Sequence, residues 1–360
     1  MNKRILITGA NGFLASYIIN EARQKGYTVV ATDTIDKKEH LPDIQFYKAD
    51  LLDKNRLTEI TKNIDVIVHC AAIFDLSVSK ERLYQVNAIG TKNIFEAAIE
   101  NKVAQFIHIS SCDIYGALKY IPAGIDHPKN PKNNYAWSKL QAEEVIHNHH
   151  DRDKIQWTII RPSMLYGPRS AYVAAILFSV PCVLRYLGVK KLPYFTGGTK
   201  VTLVHVEDVA GSVVFSLLNE RTYNKIFNIA EEEVIEMGTI VELLLKNFGI
   251  KPCCTLPISK FFLNLVSSIL LALPNCLSAG VLSFFVVRFW KRIIEKYDLK
   301  RDFYPKLHKE FYSYFFGDRV FSIDDIKKAG YVIKHKSIKY SLTQTLDWYR
   351  ENKWLPPFKD

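Results

Sequence analysis

The stretch RILITGANGFLASY (Arg4–Tyr17) opens as an apolar run, turns at two glycines and resumes with apolar residues at helical spacing. Arg4–Thr8 is predicted to be a buried strand and Phe13–Lys25 a helix, which places Gly9 and Gly12 in a strand-to-helix turn. Gly9 permits the tight turn. Gly12 lets backbone amides approach a pyrophosphate at the helix amino end, where the dipole favours anions. Ala15 stands where a third glycine is usual, and its methyl is small enough for close helix–strand packing.

Outward from this turn, apolar runs alternate with helical patterns over the first 110 residues. Thr28–Thr32, Ile44–Asp50, Asp65–Ala71 and Ala104–Ser110 are predicted strands, and Ile155–Pro162 is a sixth. Continuous apolar strands separated by helices predict an α/β fold with a doubly wound parallel sheet, covered on both faces. Beyond Tyr166 the rhythm changes to helix-like Leu, Phe and Val stretches mixed with short strands such as KVTLVHV and KIFNIA. The expected division is a dinucleotide-binding domain over 1–165 and a smaller, mainly helical C-terminal substrate lobe over 166–360, interleaved with the end of the sheet.

With 360 residues, 48% of them apolar and 24% charged, the chain has an ordinary globular balance. That excludes disordered, collagen-like and disulfide-scaffold classes. Six cysteines lack zinc-ligand spacing, so reduced thiols, a cytoplasmic location and no metal site are expected. Cys253–Cys254 is expected to be two half-buried thiols rather than a strained vicinal disulfide. The opening MNKR–ILIT begins like a signal peptide, but Gly9 and Gly12 break its apolar run. The formal charge is +11, with 14 basic against 7 acidic residues between Arg288 and Tyr340. Without a helix-turn-helix, zinc-finger or RNP signature, this is expected to be a solvated basic face and not a nucleic-acid surface.

Phe261–Val287 contains no charged residue. Pro274–Asn275 and Ser278–Gly280 divide it into pieces shorter than the roughly 20 residues of a membrane span. Arg288–Arg292 (RFWKR) adds the Trp-plus-cation pattern of a membrane-surface anchor. Three readings stand: helices packed over a substrate site, peripheral membrane contact through 261–292, and a true span.

Asp33 ends the predicted second strand, 24 residues after Gly9. A carboxylate there accepts hydrogen bonds from ribose hydroxyls and repels a 2′-phosphate, which favours NAD over NADP. Lys37 and Lys38 follow and reverse that preference if their loop folds back. Asp50–Leu51 is placed to meet an adenine edge, and Cys70–Ala71–Ala72 offers small residues across which a cofactor can lie. Tyr135 and Lys139 form a YxxxK pair one helical turn apart, hence on one face. A phenol of ordinary pKa, about 10, is a poor base at neutral pH; a neighbouring ammonium and an oxidised nicotinamide lower that value. Ser111 ends the predicted fifth strand and supplies a hydroxyl to hold a substrate oxygen, with Ser110 as the alternative. His147, His149 and His150 are expected at a solvated helix end, and His205 in a structural role beside the nicotinamide end.

TGANGFLA (Thr8–Ala15), Asp33, HCAA (His69–Ala72), VNAIGTKN (Val86–Asn93), SSCDIYG (Ser110–Gly116), YAWSK (Tyr135–Lys139), RPSMLYGP (Arg161–Pro168), LVHVEDVA (Leu203–Ala210) and FSIDDIKKAGY (Phe321–Tyr331) follow one another in order. Through nearly the whole chain this order resembles the extended short-chain dehydrogenases/reductases. The resemblance implies a Rossmann-type sheet, NAD (or NADP) as cofactor, Ser111, Tyr135 and Lys139 as catalytic triad, and Asn87 as support of the active-site backbone and its water. It also implies cofactor contacts from Gly9, Asn11, Gly12, Phe13, Leu14, Asp33, Asp50, Leu51, Ala71, Ala72 and Pro162, besides Tyr135 and Lys139. Extended members pair through two helices, which here implies a homodimer built on Ser79–Glu100 and Tyr135–His149.

Epimerases of that family typically carry an asparagine three residues before the YG glycine, where it helps hold a pyrophosphate; Met164 stands there instead. The RPSMLYGP wording resembles the branch containing 3β-hydroxysteroid dehydrogenases and sterol-4-carboxylate 3-dehydrogenases. Phe178, Tyr186, Tyr194 and Phe195 favour an apolar ligand or are ordinary core. Asp113 lies beside Ser111 without the partner acid usual in dehydratases. The expectation is an NAD(P)-dependent dehydrogenase that interconverts a secondary alcohol and a ketone on a lipophilic substrate, steroid- or sterol-like or 3-hydroxy acyl. A nucleotide-sugar epimerase, dehydratase or reductase is the alternative, and a non-catalytic NAD(P)-binding sensor a second.

Overall fold

The computed structural model describes residues 3–171, 173–274, 279–300, 305 and 317–358; Cys276 and the middle of the expected break at 274–280 lie outside them. In chain order the elements begin with β1 (Arg4–Thr8), α1 (Phe13–Gln24), β2 (Thr28–Asp33), β3 (Gln45–Lys48), α2 (Lys54–Ile60) and β4 (Val66–His69). Next come α3 (Lys80–Leu83), a π-helical turn over Tyr84–Ile89, α4 (Gly90–Glu100), β5 (Gln105–Ile109), α5 (Asn134–His147) and β6 (Gln156–Pro162). The later elements are β7 (Met164–Tyr166), α6 (Val173–Tyr186), β8 (Lys191–Gly197), β9 (Lys200–Val201), β10 (Leu203–His205), α7 (Val206–Ser216), β11 (Lys225–Ile229), β12 (Ile235–Glu236) and α8 (Met237–Asn247). The chain closes with β13 (Lys251–Ile258), α9 (Lys260–Ala272), α10 (Val281–Tyr297), α11 (Asp324–Ala329) and α12 (Ile338–Glu351).

Two compact units divide these elements. The first takes 1–164, 206–230 and 321–334, and the second takes 165–205, 231–320 and 335–360. In the first, seven strands form one sheet in the order β11-β6-β5-β4-β1-β2-β3, and every neighbouring pair is parallel. This is the expected Rossmann-type α/β sheet. Its strands are apolar on both faces because helices cover both; every residue of β4 and β5 is buried. On one face Leu6, Val30, Ile67 and Phe106 meet Leu57 and Ile60 of α2 and Ile94 and Phe95 of α4. A fully buried Phe contributes about 1.5–3 kcal/mol, so the edge-on pair Phe95–Phe106, 5.1 Å between centroids, clamps α4 to the sheet. Elsewhere in this unit α1 packs beside α7. Tyr331 donates to the Asp208 carbonyl at 2.8 Å and the Lys334 amide to its carboxylate at 2.6 Å, which fastens the 321–334 segment.

The second unit contains small sheets rather than one large one. β8 pairs in parallel with β13, and β9 pairs antiparallel with β12. Tyr194, Leu245 and Ile250 form a small core, and the Tyr349 hydroxyl donates to the carbonyls of Gly167 and Ser170 at 3.2 and 2.7 Å. Phe178 is buried edge-on against Tyr349. Of the four aromatics considered for an apolar ligand, Phe178 and Tyr194 are therefore core, while Phe195 is partly exposed and Tyr186 lies under the Lys296 ammonium. Cys253 and Cys254 correct the expectation of half-burial. Both are exposed thiols with sulfurs 3.9 Å apart, on a strand whose sheet neighbour among the described residues is β8. Among the described residues no helix is long and apolar enough to cross a membrane. The uncharged segment instead falls into α9 and α10.

Candidate active site

The glycine turn is built as its sequence requires. Gly9 has φ +66°, and a Cβ there would lie 2.7 Å from the Ala71 Cα, so any larger residue collides with the backbone leaving β4. The Gly12 amide closes the turn on the Gly9 carbonyl at 2.9 Å, and Gly12 caps α1, where Phe13 and Leu14 follow half-buried. Asn11 joins the turn to the end of β2. Its amide donates to Asp33 Oδ2 at 3.0 Å, its Nδ2 to the Asp36 carbonyl at 3.1 Å, and its Oδ1 accepts from the Lys38 amide at 2.9 Å. The loop after Asp33 thus folds back onto the turn through the Lys38 backbone, while the Lys37 ammonium lies 3.8 Å from Asp43. Asp33 Oδ1 accepts from the Thr34 amide at 2.8 Å, which fixes the plane of the carboxylate.

After β3, Asp50 accepts from the Leu52 amide at 2.9 Å, and Leu51 is buried, its carbonyl held by Asn93 Nδ2 at 2.9 Å. The Ala71 amide donates to Thr8 Oγ1 at 3.1 Å, Ala72 is exposed, and Pro162 is buried at the end of β6 opposite Ile229.

At the carboxyl end of β5 the Ser111 hydroxyl accepts from the Asp113 amide at 3.1 Å and lies beside the Tyr135 phenol, favouring its charged form. Asn133 starts α5 by accepting from the Ala136 amide at 2.7 Å, which places Tyr135 in the first turn and buried Lys139 one turn later. The Phe74 ring meets Tyr135 edge-on at 4.7 Å. Burial pushes the Tyr135 phenol up, and the Asp113 charge adds to this; only Ser111 opposes them. The lowering expected from the sequence is therefore not a property of the protein groups alone. Burial lowers the Lys139 ammonium to about 8, against the opposing pull of Glu143 and Cys70. The Cys70 thiol is itself pushed up to about 12 by burial, so it is not a thiolate at neutral pH.

Two buried networks hold this site. Asn87 sits in the π-helical turn; its Oδ1 accepts from the Ile73 amide at 2.8 Å, and its Nδ2 donates to the Ile73 carbonyl at 3.1 Å and to Ser138 Oγ at 2.9 Å. It thereby ties the segment after β4 to the neighbour of Lys139. The Thr91 hydroxyl donates to the Asn87 carbonyl at 2.6 Å, so it accepts from His69 Nε2 at 3.0 Å, leaving His69 Nδ1 to accept from Thr8 at 2.8 Å. Burial, with the Lys139 charge adding to it, holds His69 down to about 3 and keeps it neutral.

In the second network Arg161 grips Glu143 through two parallel bonds of 2.9 and 2.7 Å and donates to the Tyr115 hydroxyl at 2.6 Å. Ser110 donates to the same carboxylate at 2.5 Å. Ser110 is thus engaged with Glu143, and it is Ser111 that meets Tyr135. Sequence reading missed Glu143, Arg161, His69, Thr91, Ser138 and Phe74. Two signals were present: Arg161 is the one charge in an apolar strand and needs a buried partner, and Glu143 stands one turn beyond Lys139.

His147 and His150 are exposed, whereas His149 packs edge-on against Phe95 with Nε2 3.8 Å from Glu96. In the second unit His205 is buried between Tyr166 and His335. A hollow of about 1200 Å³ in the first unit is lined by Trp157, Ile159, Phe227 and the outer end of α5, and it does not include Ser111, Tyr135 or Lys139. Hydrogen bonds, not volume, mark the chemistry here.

The NAD dependent epimerase/dehydratase family matches residues 5–230, more than half of the sequence, and the chain belongs to that family. A putative UDP-glucose 4-epimerase of Methanocaldococcus jannaschii is 28% identical over 260 residues, covering 69% of this chain and 83% of the relative. A sterol-4-alpha-carboxylate 3-dehydrogenase, decarboxylating, of Bos taurus is 28% identical over 253 residues, covering 68% and 69%. The uncharacterized protein y4nG of Sinorhizobium fredii is 26% identical over 246 residues, covering 68% of this chain but only 60% of its own length. The fold is shared with DesIV, a dTDP-glucose 4,6-dehydratase from Streptomyces venezuelae, at a TM-score of 0.70 and 19% identity over 99% of this chain and 100% of that one. As in its family, NAD is the cofactor, and the residues fit it. The first turn of α1 carries no acidic side chain, Gly12 is exposed there, and Gly9 leaves no Cβ in the way.

Proposed function

We propose that this enzyme interconverts a secondary alcohol and a ketone on a lipophilic substrate, steroid- or sterol-like or 3-hydroxy acyl, with Ser111, Tyr135 and Lys139 as its catalytic groups. The observation that carries the reading is the meeting of Ser111 with the Tyr135 phenol, whose charged form Ser111 favours, with buried Lys139 one turn further along α5. Bound NAD supplies the ring that accepts hydride in oxidation. Tyr135 Oη takes the substrate hydroxyl proton in that direction and returns it in reduction, while Ser111 Oγ holds the same oxygen. Because burial and Asp113 raise the phenol, the Lys139 ammonium is needed to stabilise its deprotonated form. Asn87 supports the backbone on both sides of this group.

For the cofactor, Gly9, Asn11, Gly12, Phe13 and Leu14 form the pyrophosphate cradle, Asp33 takes the ribose hydroxyls, Asp50 and Leu51 flank the adenine, and Ala71, Ala72 and Pro162 bound the remaining surface. Asp33 supports NAD over NADP, since the Lys37 ammonium lies toward Asp43 and the Lys38 contact to the turn is a backbone one. Met164 in place of the epimerase asparagine, the Phe74 ring against Tyr135 and the bovine sterol relative support a lipophilic substrate. A nucleotide-sugar reaction is the second reading, favoured by the Methanocaldococcus relative. A dimer built on Ser79–Glu100 and Tyr135–His149 belongs to the same proposal, and sedimentation at graded concentration checks it.

An NAD- and NADP-dependent activity screen across hydroxysteroids, 3-hydroxy acyl compounds and nucleotide sugars tests the reading; turnover of the last group alone replaces it with the second. Tyr135→Phe is expected to lower turnover by about 10²–10⁴-fold with NAD affinity retained. Unchanged function in that variant would make the protein a cofactor-binding sensor.

A further inference from the structure

Within the second unit, α9 and α10 each carry exposed apolar residues that the chemistry above does not use. Along α9 the exposed residues Phe261, Leu265 and Ile269 recur every fourth position, one stripe of a helix that exposed Leu273 continues just past its end, and Phe261 is 79% exposed. In α10 the inward seam is Val286, Trp290 and Ile293. Its outward side begins with Val281, Leu282, Phe284 and Phe285, all exposed, and continues one turn later with exposed Arg288, Lys291 and Arg292. Scattered exposed apolar residues are ordinary, but grouped ones mark an interaction surface. The charge here is one-sided: from Lys251 to Ile294 there is no Asp or Glu, and Glu295 is the one acid of α10.

We propose that α9 and α10 seat the protein on an anionic lipid bilayer. Phe261, Leu265, Phe284 and Phe285 enter the boundary between headgroups and acyl chains, and Arg288, Lys291 and Arg292 meet the lipid phosphates. Apolar residues followed by cations one turn on is the pattern of a helix lying in the interface rather than crossing it. Neither helix is long and apolar enough to span. Charge selects a membrane over a second copy of the chain, because Arg288, Lys291 and Arg292 complement lipid phosphates, whereas the same face on a second copy offers almost no acid to pair them. The proposal does not depend on the reaction assigned above.

Co-sedimentation of the full chain with vesicles tests it, using phosphatidylcholine alone and phosphatidylcholine mixed with phosphatidylglycerol, at low and high salt. At low salt, binding is expected to be about tenfold or more tighter to the anionic vesicles, and this preference disappears at high salt. Phe284→Ser with Phe285→Ser lowers binding to both vesicle types by about tenfold or more, and Arg288→Glu with Lys291→Glu abolishes the anionic preference. An unchanged thermal unfolding transition shows that each variant is folded, and Phe261→Ser with Leu265→Ser replaces the α10 pair if that variant fails to fold. The proposal is overturned if the wild-type chain stays in the supernatant with every vesicle, or if the phenylalanine substitutions leave binding unaltered. Loss of a lipid-free dimer in the same variants, with no vesicle binding by the wild type, assigns the face to a second copy instead.

Discussion

Beneath α5 the side chains of Arg161 and Glu143 are 0% and 3% exposed and share every polar atom with a partner, whereas along α9 and α10 Phe261 and Phe284 are 79% and 62% exposed. The two regions invert the usual assignment of charge outside and apolar inside. A buried charge is tolerated only when its partner and hydrogen bonds are in place, so the network under Ser110 and Ser111 has one permitted geometry. An exposed aromatic carries no such condition. α10 keeps its place through Val286, Trp290 and Ile293, and its outer face is left for another surface. A site that must hold a phenol and a hydroxyl in register is supported by the first kind of region, and a contact with a fluid partner suits the second.

The comparison breaks most directly at Glu143. Glu143→Ala leaves Arg161 buried without its carboxylate, and a loss of about 3–5 kcal/mol is expected in urea unfolding. Replacing both partners by Met recovers much of that loss; a single variant costing under about 1 kcal/mol would mean that the pair is not what organises the region.

Lys139 sharpens the same contrast through pH. Its folded-state value lies near 8, below the ordinary 10.5, because burial disfavours the ammonium. The cost is fully present below pH 8 and is relieved as pH rises from 8 to 10.5, where the unfolded chain also releases its proton. The Lys139 contribution to stability therefore rises across that window, against the opposite contributions of Cys70 and Tyr135, whose raised values make the folded chain keep protons there that the unfolded chain releases. Lys139→Met is expected to remove the rise, so that its stability relative to wild type is about 3 kcal/mol better at pH 7 than at pH 10.5. Urea midpoints at the two pH values measure this, and equal slopes in both proteins would count against a buried ammonium.

The smallest effect belongs to the open region. Phe284→Ser is expected to change unfolding free energy by no more than about 0.5 kcal/mol, since little of its ring is removed from water in the fold. A loss above about 2 kcal/mol in thermal unfolding would show that α10 is packed on that side.

How much was legible differs between the regions. The sheet was readable because a strand covered on both faces must be mostly apolar, as VIVH and QFIHI are apart from His69, Gln105 and His108. The predicted runs at Ile44–Asp50 and Asp65–Ala71 were longer than β3 and β4, since strand ends pass into the loops that carry the site. The Tyr84–Ile89 turn was hidden because one extra residue in a helical turn leaves the apolar pattern of an α-helix nearly intact. Phe178 and Tyr194 were ambiguous for a related reason: an aromatic in a core and one facing a ligand have the same local sequence.

The sequence by itself determined what local spacing controls: the glycine turn after β1, the shared helix face of Tyr135 and Lys139, and the division of Phe261–Val287 into two helices. These follow from backbone geometry within a few residues. Only the tertiary structure decided that Ser111 and not Ser110 meets the phenol, that Glu143 reaches Arg161, and that His69 lies between Thr8 and Thr91. Those partners stand 18 to 61 residues apart in the chain. Strand register and helix placement bring them together, and only closure of the sheet sets both.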